Sequence, residues 1–338
     1  MILSNNGMAL FLLRYFMAFV LLLISACSQA NDVHETRFIM GTLVKFTIAP
    51  ADRHENIDVA AAISAAANEM QRIENAFTIY GDQSNAIKTF NATAPNTAVA
   101  LPEEVASLLQ RALLIKQQSK GAFDPALGGL NLLWGFSASD APTTPPSAEA
   151  ITKALPPQHC IAQTSMANGK SGWLRTDTRC LLDFGAIAKG YAIDQGIKIL
   201  RQHGIKNAII NAGGDIRLIG KHGDKPWRIG IRHPRQQAEM IETLQLEGDV
   251  SIVTSGDYER FFIYQGKRYH HLINPQTGWP AQTAQSVTII ARNATLADAW
   301  STAVFIQGKK GMAQQSQFNQ QVLLIDQSGK RFGSLKPR

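Results

Sequence analysis

Hydrophobic residues recur at helical spacing in several segments of the chain. In residues 57–77 the apolar and alanine positions fall on one face, which predicts a helix with Asn56 or Asp52 as candidate caps. A second helix is predicted directly after Pro102, because proline suits a first helical turn, and Gly121 follows the last turn as a stop. Two amphipathic helices are therefore expected in the N-terminal half.

Two further helices are predicted in the C-terminal half. One follows the small-residue turn GAIAKG (residues 185–190) and ends before Gly204, and the other covers residues 295–307. Residues 137–157 are dense in Ser, Thr, Ala and Pro, which indicates a surface excursion within the domain.

Runs rich in β-branched and aromatic residues predict strands between these helices. Residues 37–50 are interpreted as one strand, residues 180–184 as a short strand, and residues 206–220 as a strand broken by a double glycine. A closing hairpin is predicted at residues 322–332. Further β segments are WRIGIRH, VSIVTSG, ERFFIYQ and SVTIIAR.

The N-terminus carries an export signal. Arg14 precedes the apolar run YFMAFVLLLISA, and LISAC resembles a bacterial lipobox in which Cys27 becomes the acylated N-terminus. An ordinary cleaved signal with an incidental cysteine is the alternative, and a transmembrane anchor is a third, for which the run has few residues to spare. We expect a signal peptide over residues 1–26, a tether over residues 27–35 and one folded domain over residues 36–338.

Composition agrees with a folded, exported protein. The 338 residues are 45% hydrophobic and 17% charged, so the chain can bury a sizeable core. The net charge of +7 suits anionic lipid or phosphorylated ligands, and nucleic acid is not an expected partner outside the cytoplasm. Export also leaves two states open for Cys160 and Cys180, which flank a predicted hairpin with turn residues 168–170: a disulfide, or two buried thiols.

Three short motifs carry candidate chemistry. Asp298 and Thr302 are four residues apart on the last helix and offer oxygen ligands to a cation such as magnesium, although this spacing is more often a solvated face. Lys189 in GAIAKG can reach a phosphate, although a surface lysine beside a tightly packed turn is the plainer interpretation. His270 and His271 open the turn HHLINPQTGWP; on a strand they point to opposite faces, so at most one faces a given site.

Other chemistries lack their motifs. The sequence DFG begins at Asp183 as in protein kinases, but no Gly-rich phosphate loop, VAIK-like strand or HRD-like loop accompanies it. HExxH, GxSxG and CxxC are also absent from the sequence.

Seven motifs in order resemble one family, the FAD:protein FMN transferases, also called ApbE. They are MGT at residues 40–42, GAFDPALGGLNLLWGF, DFGAIAKGYAID, NAGGDIR, TSGDYERFF, HHLINPQTGWP and ADAWSTA. Phe184 stands where many relatives carry leucine. The resemblance covers nearly the whole exported chain and implies a single large α+β domain, T-fold-like, with a mixed, largely antiparallel sheet packed with helices.

The resemblance also implies an activity and its residues. The enzyme would cleave FAD with Mg²⁺ and attach FMN by a phosphoester bond to a threonine or serine of an acceptor protein, releasing AMP. It implies magnesium ligation by the Ala186 carbonyl, Asp298 and Thr302. Lys189 would offset phosphate charge, and we nominate His271 as the base that takes the acceptor proton. Flavin-nucleotide contacts are implied at Met40, Tyr80, Ala122, Phe123, Asp124, Asp183, Lys189 and Ile273.

Two other functions and the choice of membrane stay open at this point. The same site could act as a FAD pyrophosphatase giving FMN and AMP, or the chain could be a non-catalytic, lipid-anchored flavin carrier. Expected partners are FAD, the membrane through the lipid anchor, and acceptor proteins such as subunits of membrane redox complexes. The expected location is the periplasmic face of a bacterial membrane; the family favours the inner membrane, while Ser28 after Cys27 leaves the outer membrane open.

Overall fold

The computed structural model describes residues 31–52, 57–137, 142–167, 169–236, 238–315 and 321–335. The predicted signal peptide, the lipobox at Cys27 and turn residue Asn168 lie outside these ranges. One compact unit begins at Val33, where the first strand also begins, so the fold starts earlier than the predicted boundary at Thr36. Within the described ranges, no helix has both the length and the apolarity needed to cross a membrane.

The structure has a helix in each of the four segments where apolar periodicity predicts one. Asp58, rather than Asn56 or Asp52, caps the first one by accepting a 2.9 Å hydrogen bond from Ala61 N. Pro102 is the N-cap of the third helix, and Gly121 follows its end with φ +79°. The described α-helices are α1 Val59–Phe77, α2 Ala86–Ala92, α3 Glu103–Gln118, α4 Gly128–Trp134, α5 Ala148–Ala154, α6 Ala188–Gln202, α7 Ala294–Gln307 and α8 Lys309–Gln315.

The strands form one large antiparallel sheet and three small hairpins. The large sheet has eight strands in the order β1-β2-β5-β6-β9-β12-β13-β14, and β3-β4, β7-β8 and β10-β11 pair separately. The strands are β1 Val33–Ile39, β2 Thr42–Ile48, β3 Ile161–Ser165, β4 Ser171–Arg175, β5 Ala208–Ala212, β6 Asp215–Gly220, β7 Trp227–Arg232, β8 Met240–Leu246, β9 Gly248–Gly256, β10 Phe261–Tyr264, β11 Lys267–His270, β12 Ala284–Ala291, β13 Gln321–Asp326 and β14 Arg331–Gly333. The expected α+β domain with a largely antiparallel sheet is confirmed.

The sheet is covered differently on its two faces. One face packs against α1, α3, α6 and α7 in the main hydrophobic core, where Phe46, Met70, Ile193 and Phe305 are fully buried. The other face packs against the β7-β8 hairpin through a second cluster that includes Trp227. Helix α7 is apolar nearly all round and buried, so any polar residue that it carries must find a partner or a ligand.

Two sequence-based strand predictions are wrong. Residues 37–50 form a hairpin rather than one strand, because Met40 and Gly41 turn the chain with φ +57° and +69°. Residues 180–184 contribute only an isolated bridge between Leu181 and Leu127, since the segment is held by Asn91 side-chain hydrogen bonds instead of a ladder. The break in residues 206–220 is likewise a hairpin turn at the double glycine.

Cys160 and Cys180 form a disulfide, which resolves the choice left open by the sequence. Their Cα atoms are 6.1 Å apart, and both residues are fully buried at the two ends of the β3-β4 hairpin. The bridge therefore closes this hairpin at its base.

Removing the bridge should destabilise the protein. The cysteines are 20 residues apart, and loop-closure entropy for a loop of this length predicts a loss of about 3 kcal/mol for the Cys160→Ser/Cys180→Ser variant. Urea unfolding of the oxidised wild type and the variant measures this difference. Reduced wild type is the control and should resemble the variant; equal midpoints for oxidised and reduced protein would contradict the prediction.

Candidate functional site

A cavity of about 640 Å³ lies between the N-terminal turn of α6, helix α7 and the ends of several strands. Ten of the residues singled out from the sequence line it: Met40, Tyr80, Asp124, Asp183, Ala186, Lys189, His271, Ile273, Asp298 and Thr302. The predicted chemistry from five distant motifs is thus gathered in one place.

The turn before α6 is shaped by side-chain-to-backbone hydrogen bonds. Gly185 N donates to Asp183 Oδ1 at 2.7 Å, and Asp183 N donates to the Pro125 carbonyl at 2.8 Å. Asn131 Nδ2 donates to the other Asp183 oxygen at 2.6 Å. The pKa of Asp183 is nevertheless raised, because burial outweighs these donors. The turn therefore presents a half-buried, oriented carboxyl to the cavity.

Helices α6 and α7 touch at Gly190, where only glycine fits. A Cβ at this position would clash with the Ala294 carbonyl and lie 2.8 Å from Asp298 Cβ. Gly190 N donates to Asp298 Oδ2 at 2.8 Å, which fixes that carboxylate against the first turn of α6. This close packing brings Lys189 and Asp298 to the same wall of the cavity.

The same wall holds a dense group of charges, of which Asp215 and Asp298 are buried and Lys189 is half-buried. Lys189 Nζ forms an ion pair with Asp215, which leads β6. Burial alone lowers the pKa of Lys189, but Asp215 and Asp298 together raise it above its usual value. The pKa of Asp298 is raised to about 7, first by burial and next by the Asp215 carboxylate. The carboxylates of Asp215 and Asp298 therefore both interact with the single Lys189 ammonium group. The negative charge of these three side chains exceeds the positive charge.

Other residues that offer oxygen atoms line the same cavity as Asp298. Thr302, one turn later on α7, lies in the cavity wall with its hydroxyl 3.4 Å from Ser255 Oγ, and Ala186 belongs to the turn before α6. In the described part of the chain, no three His, Cys, Asp or Glu side chains gather into a metal cluster. The three predicted donors, a carboxylate, a hydroxyl and a backbone carbonyl, belong to residues that line one cavity, and oxygen donors of this kind suit a hard cation.

A lysine clamp shapes the loop that carries Tyr80. Lys88 Nζ donates to the carbonyls of Tyr80, Gly81 and Gln83 at 2.7, 2.6 and 2.8 Å. Burial, followed by the Asp183 carboxylate, raises the pKa of the Tyr80 phenol to about 12, so it stays protonated. Tyr80 therefore offers a neutral ring and a hydroxyl to a ligand.

The two adjacent histidines have different roles. His270 is buried; its Nε2 bonds the Ala281 carbonyl at 2.7 Å, and its Nδ1 accepts from Leu272 N at 3.3 Å. His271 instead lines the cavity, and its buried Nδ1 has no hydrogen-bond partner within the described residues. Burial, then Arg260, His270 and Lys189, lower the pKa of His271 to about 3. The expectation that only one of them faces the site is confirmed.

Comparison with known proteins identifies the family of this chain. The ApbE family model matches residues 40–324. The FAD:protein FMN transferase of Treponema pallidum is 34% identical over 294 residues, which cover 83% of this chain and 80% of that protein. This chain belongs to the ApbE family.

Solved ApbE structures share the fold. The crystal structure of the ApbE protein from Thermotoga maritima superimposes with a TM-score of 0.80 and 34% identity, covering 90% of this chain and 97% of that one. The flavin transferase ApbE from Vibrio cholerae gives a TM-score of 0.78 and 25% identity over 90% of this chain and 97% of that one.

Two positions that the ApbE resemblance assigned to flavin contacts lie beside the cavity rather than in its lining. The side chains of Ala122 and Phe123 are buried in the main core. Asp124 lines the cavity, but its carboxylate pairs with Lys116 Nζ at 2.7 Å. Burial raises the pKa of Asp124 by more than the Lys116 ammonium group lowers it. Of residues 122–124, Asp124 alone therefore contributes to the cavity lining.

Several residues of the ApbE cavity were missed by sequence reasoning. Asp215 pairs with Lys189, Asn131 orients Asp183, and Glu259 and Arg260 line the cavity between β9 and β10. All of them lie inside motifs that were recognised. A signal did exist for Asp215, because an acid directly after a double-glycine turn is exposed to whatever the turn approaches.

Proposed function

We propose that this chain is an FAD:protein FMN transferase, which moves FMN from FAD to a threonine or serine hydroxyl of an acceptor protein and releases AMP. The observation that carries the proposal is the convergence of Lys189, Asp298 and His271 on one cavity beside Asp183 and Tyr80. Phosphoryl transfer needs a cationic side chain that binds phosphate, oxygen ligands for a metal ion, and a group that can accept a proton.

The donor set fits magnesium. Asp298, Thr302 and the Ala186 carbonyl would hold the ion. Burial and then Asp215 raise the pKa of Asp298 even though Lys189 opposes them, so a bound cation would stabilise its charged form. When bound, magnesium supplies positive charge against the pyrophosphate. Gly190 N keeps the Asp298 carboxylate in place for this role.

The reaction balances without a further reactant. The acceptor hydroxyl oxygen forms a bond to the phosphorus of the FMN half, and the bridging bond from that phosphorus to the AMP half breaks. Lys189 offsets negative charge on the phosphates, while His271 Nδ1, which no described residue occupies, is free to accept the hydroxyl proton. Burial is the largest cause of the lowered pKa of His271; an anionic diphosphate beside it would oppose the further lowering by Arg260 and Lys189.

The remaining lining residues suit the flavin nucleotide. Tyr80 and Ile273 present aromatic and apolar surface, and Met40 stands at the hairpin turn beside them. Asp183 is oriented by Asn131 and Gly185, so it can accept a hydrogen bond from a fixed direction. These groups would bind and orient FAD.

Two rival functions use the same cavity. A FAD pyrophosphatase would replace the acceptor hydroxyl by water, and a flavin carrier would perform no cleavage. The carrier needs neither Asp298 nor Thr302, so the buried, charge-deficient wall around Asp298 favours catalysis.

Product analysis separates the three functions. The full-length protein is incubated with FAD and Mg²⁺, with and without a threonine-bearing acceptor protein, and the nucleotides are separated by chromatography. The transferase releases AMP in step with acceptor modification and leaves little free FMN. Equal release of free FMN with and without acceptor indicates the pyrophosphatase, and intact FAD in both reactions indicates the carrier.

We also propose that Cys27 is acylated and holds the domain at the periplasmic face of the membrane, where acceptors such as subunits of membrane redox complexes would be located. The lipobox supports this location, and the disulfide suits an oxidising compartment.

A labelling experiment tests the anchor. Cells that express the Cys27→Ala variant should yield protein without labelled fatty acid, whereas wild type and a Ser28→Ala control should both be labelled. Incorporation of label into Cys27→Ala would contradict lipidation at this residue.

A further inference from the structure

Exposed apolar side chains are concentrated in the segments of the chain that also line the cavity. The described residues include eight exposed large hydrophobic side chains, and six of them lie within three positions of a cavity-lining residue. The two that do not are Leu114 and Met240. Scattered exposed hydrophobics are normal, but a collection beside one cavity indicates an interaction surface. The six are Phe38, Leu43, Leu132, Leu133, Phe261 and Ile263.

Four of the six form what we name the mouth patch: Phe38, Leu43, Phe261 and Ile263. Phe38 and Leu43 are directly paired across the β1-β2 hairpin and are 71% and 64% exposed. Phe261 and Ile263 lie on one face of β10 and are 42% and 55% exposed, and the Arg268 guanidinium lies 3.8 Å above the Phe261 ring. The face that includes the neighbouring Phe262 packs inward, so the exposed pair is on the outer side.

The two hairpins meet at the cavity. Arg260, which directly precedes β10, has its Nη2 3.3 Å from the position that a Cβ of Gly41 would take at the tip of the β1-β2 hairpin. Both Arg260 and Gly41 line the cavity, as does Thr42 next to Leu43. Both halves of the mouth patch therefore adjoin residues that line the cavity that would hold FAD.

We propose that the mouth patch docks the acceptor protein, as an extended segment with apolar residues on both sides of the modified threonine or serine. The inference rests on the proposed function, because a protein hydroxyl can reach a phosphate in this cavity only by way of its rim. Strand β1 is the edge of the large sheet, and no described strand pairs with its outer side. An extended acceptor segment can add to such an edge by backbone hydrogen bonds and be selected by apolar side-chain contacts.

The probes are two short synthetic peptides, each with one central threonine. Leucine and valine flank the threonine in the first, and serine and glutamine flank it in the second. Binding is measured by fluorescence anisotropy with full-length, detergent-solubilised protein, and micelles alone serve as the blank. The first peptide should bind about tenfold more tightly than the second. Equal binding of the two peptides, or no binding of either, overturns the proposal.

The matched variants are Phe38→Thr/Leu43→Thr and Met240→Thr. All three positions are exposed strand residues, and threonine keeps a high strand preference. The double variant should lose about tenfold in affinity for the apolar peptide while its FAD affinity stays that of wild type, and Met240→Thr should change neither. Unchanged peptide affinity in the double variant overturns the proposal. The same holds if the double variant changes only in its co-sedimentation with lipid vesicles or in its oligomeric state, because the patch would then contact a membrane or a second copy of the chain.

Failure of the docking proposal can be distinguished from failure of the proposed transferase function. Mass spectrometry of the bound apolar peptide reports FMN transfer independently of anisotropy. Peptide binding that depends on the patch, with no FMN transferred and no FAD cleaved, supports docking and contradicts the transferase. Equal transfer to both peptides by wild type and by the double variant supports the transferase and contradicts docking.

Discussion

Asp298→Asn is expected to lower the rate of FMN transfer by about a thousandfold at limiting Mg²⁺ while the protein remains folded. Asp298 is the one side-chain carboxylate in the proposed ligand set, and its substitution would leave neutral oxygens to hold a divalent cation. Asparagine also keeps the acceptor for Gly190 N, so the contact between α6 and α7 is retained. The measurement is transfer rate against Mg²⁺ concentration.

Thr302→Val tests a second proposed magnesium ligand. A hydroxyl contributes less than a carboxylate and water can replace it, so we expect a smaller loss and a higher Mg²⁺ requirement. Circular dichroism and thermal unfolding check that both variants are folded. Near-normal transfer by folded Asp298→Asn at low Mg²⁺ would contradict the metal assignment and favour the carrier.

His271→Gln is expected to lower transfer by about a hundredfold or more without a comparable loss of FAD affinity. Glutamine occupies a similar volume and can hydrogen-bond, but it cannot take a proton. The wild-type rate should fall on the acid side of its pH profile as His271 becomes protonated in the FAD complex, and this fall should be absent from the variant. His270→Gln is not a matched control, since it disturbs the buried bond to Ala281; an unchanged rate and pH profile for His271→Gln would rule out the base.

Stability offers a second readout for His271. Its pKa of about 3 in the folded protein lies below the value of about 6.5 expected for an unfolded chain. As the pH falls below about 6.5 the unfolded chain takes up the proton first, so stability decreases between about pH 6.5 and about pH 3 and is unaffected above that window. Urea unfolding at several pH values should show a smaller acid loss for His271→Gln.

Regular local patterns were sufficient for most of the fold. Helix α6 was predicted because apolar positions recur every three or four residues and Gly204 ends the run, and the structure has it at Ala188–Gln202. The first hairpin was missed because residues 37–50 are strand-forming throughout. Its turn uses Met40 in a left-handed conformation, which sequence patterns assign to glycine, asparagine or aspartate.

Cavity residues could be predicted from the sequence where a chemically suitable side chain lies in a recognised motif. They could not be predicted where only tertiary packing brings the side chain to the cavity. Asp298 and Thr302 were singled out by their spacing and Lys189 by its turn, the family resemblance joined them, and the structure places all three in one cavity lining. The Asp215 carboxylate beside Lys189 was not found, because strand β6 and helix α6 come together only through the α6 packing on the sheet. The exposure of Phe38 and Leu43 was equally hidden, since an apolar pair on a strand is ordinarily expected to be buried.

One measurement tests the central claim most directly: the intact mass of an acceptor protein after incubation with this protein, FAD and Mg²⁺. We predict a mass gain of one FMN less one water on a single threonine or serine, with one AMP released for each modified acceptor. Consumption of FAD to free FMN and AMP with no change in acceptor mass would contradict the transferase, and so would recovery of unmodified acceptor beside intact FAD.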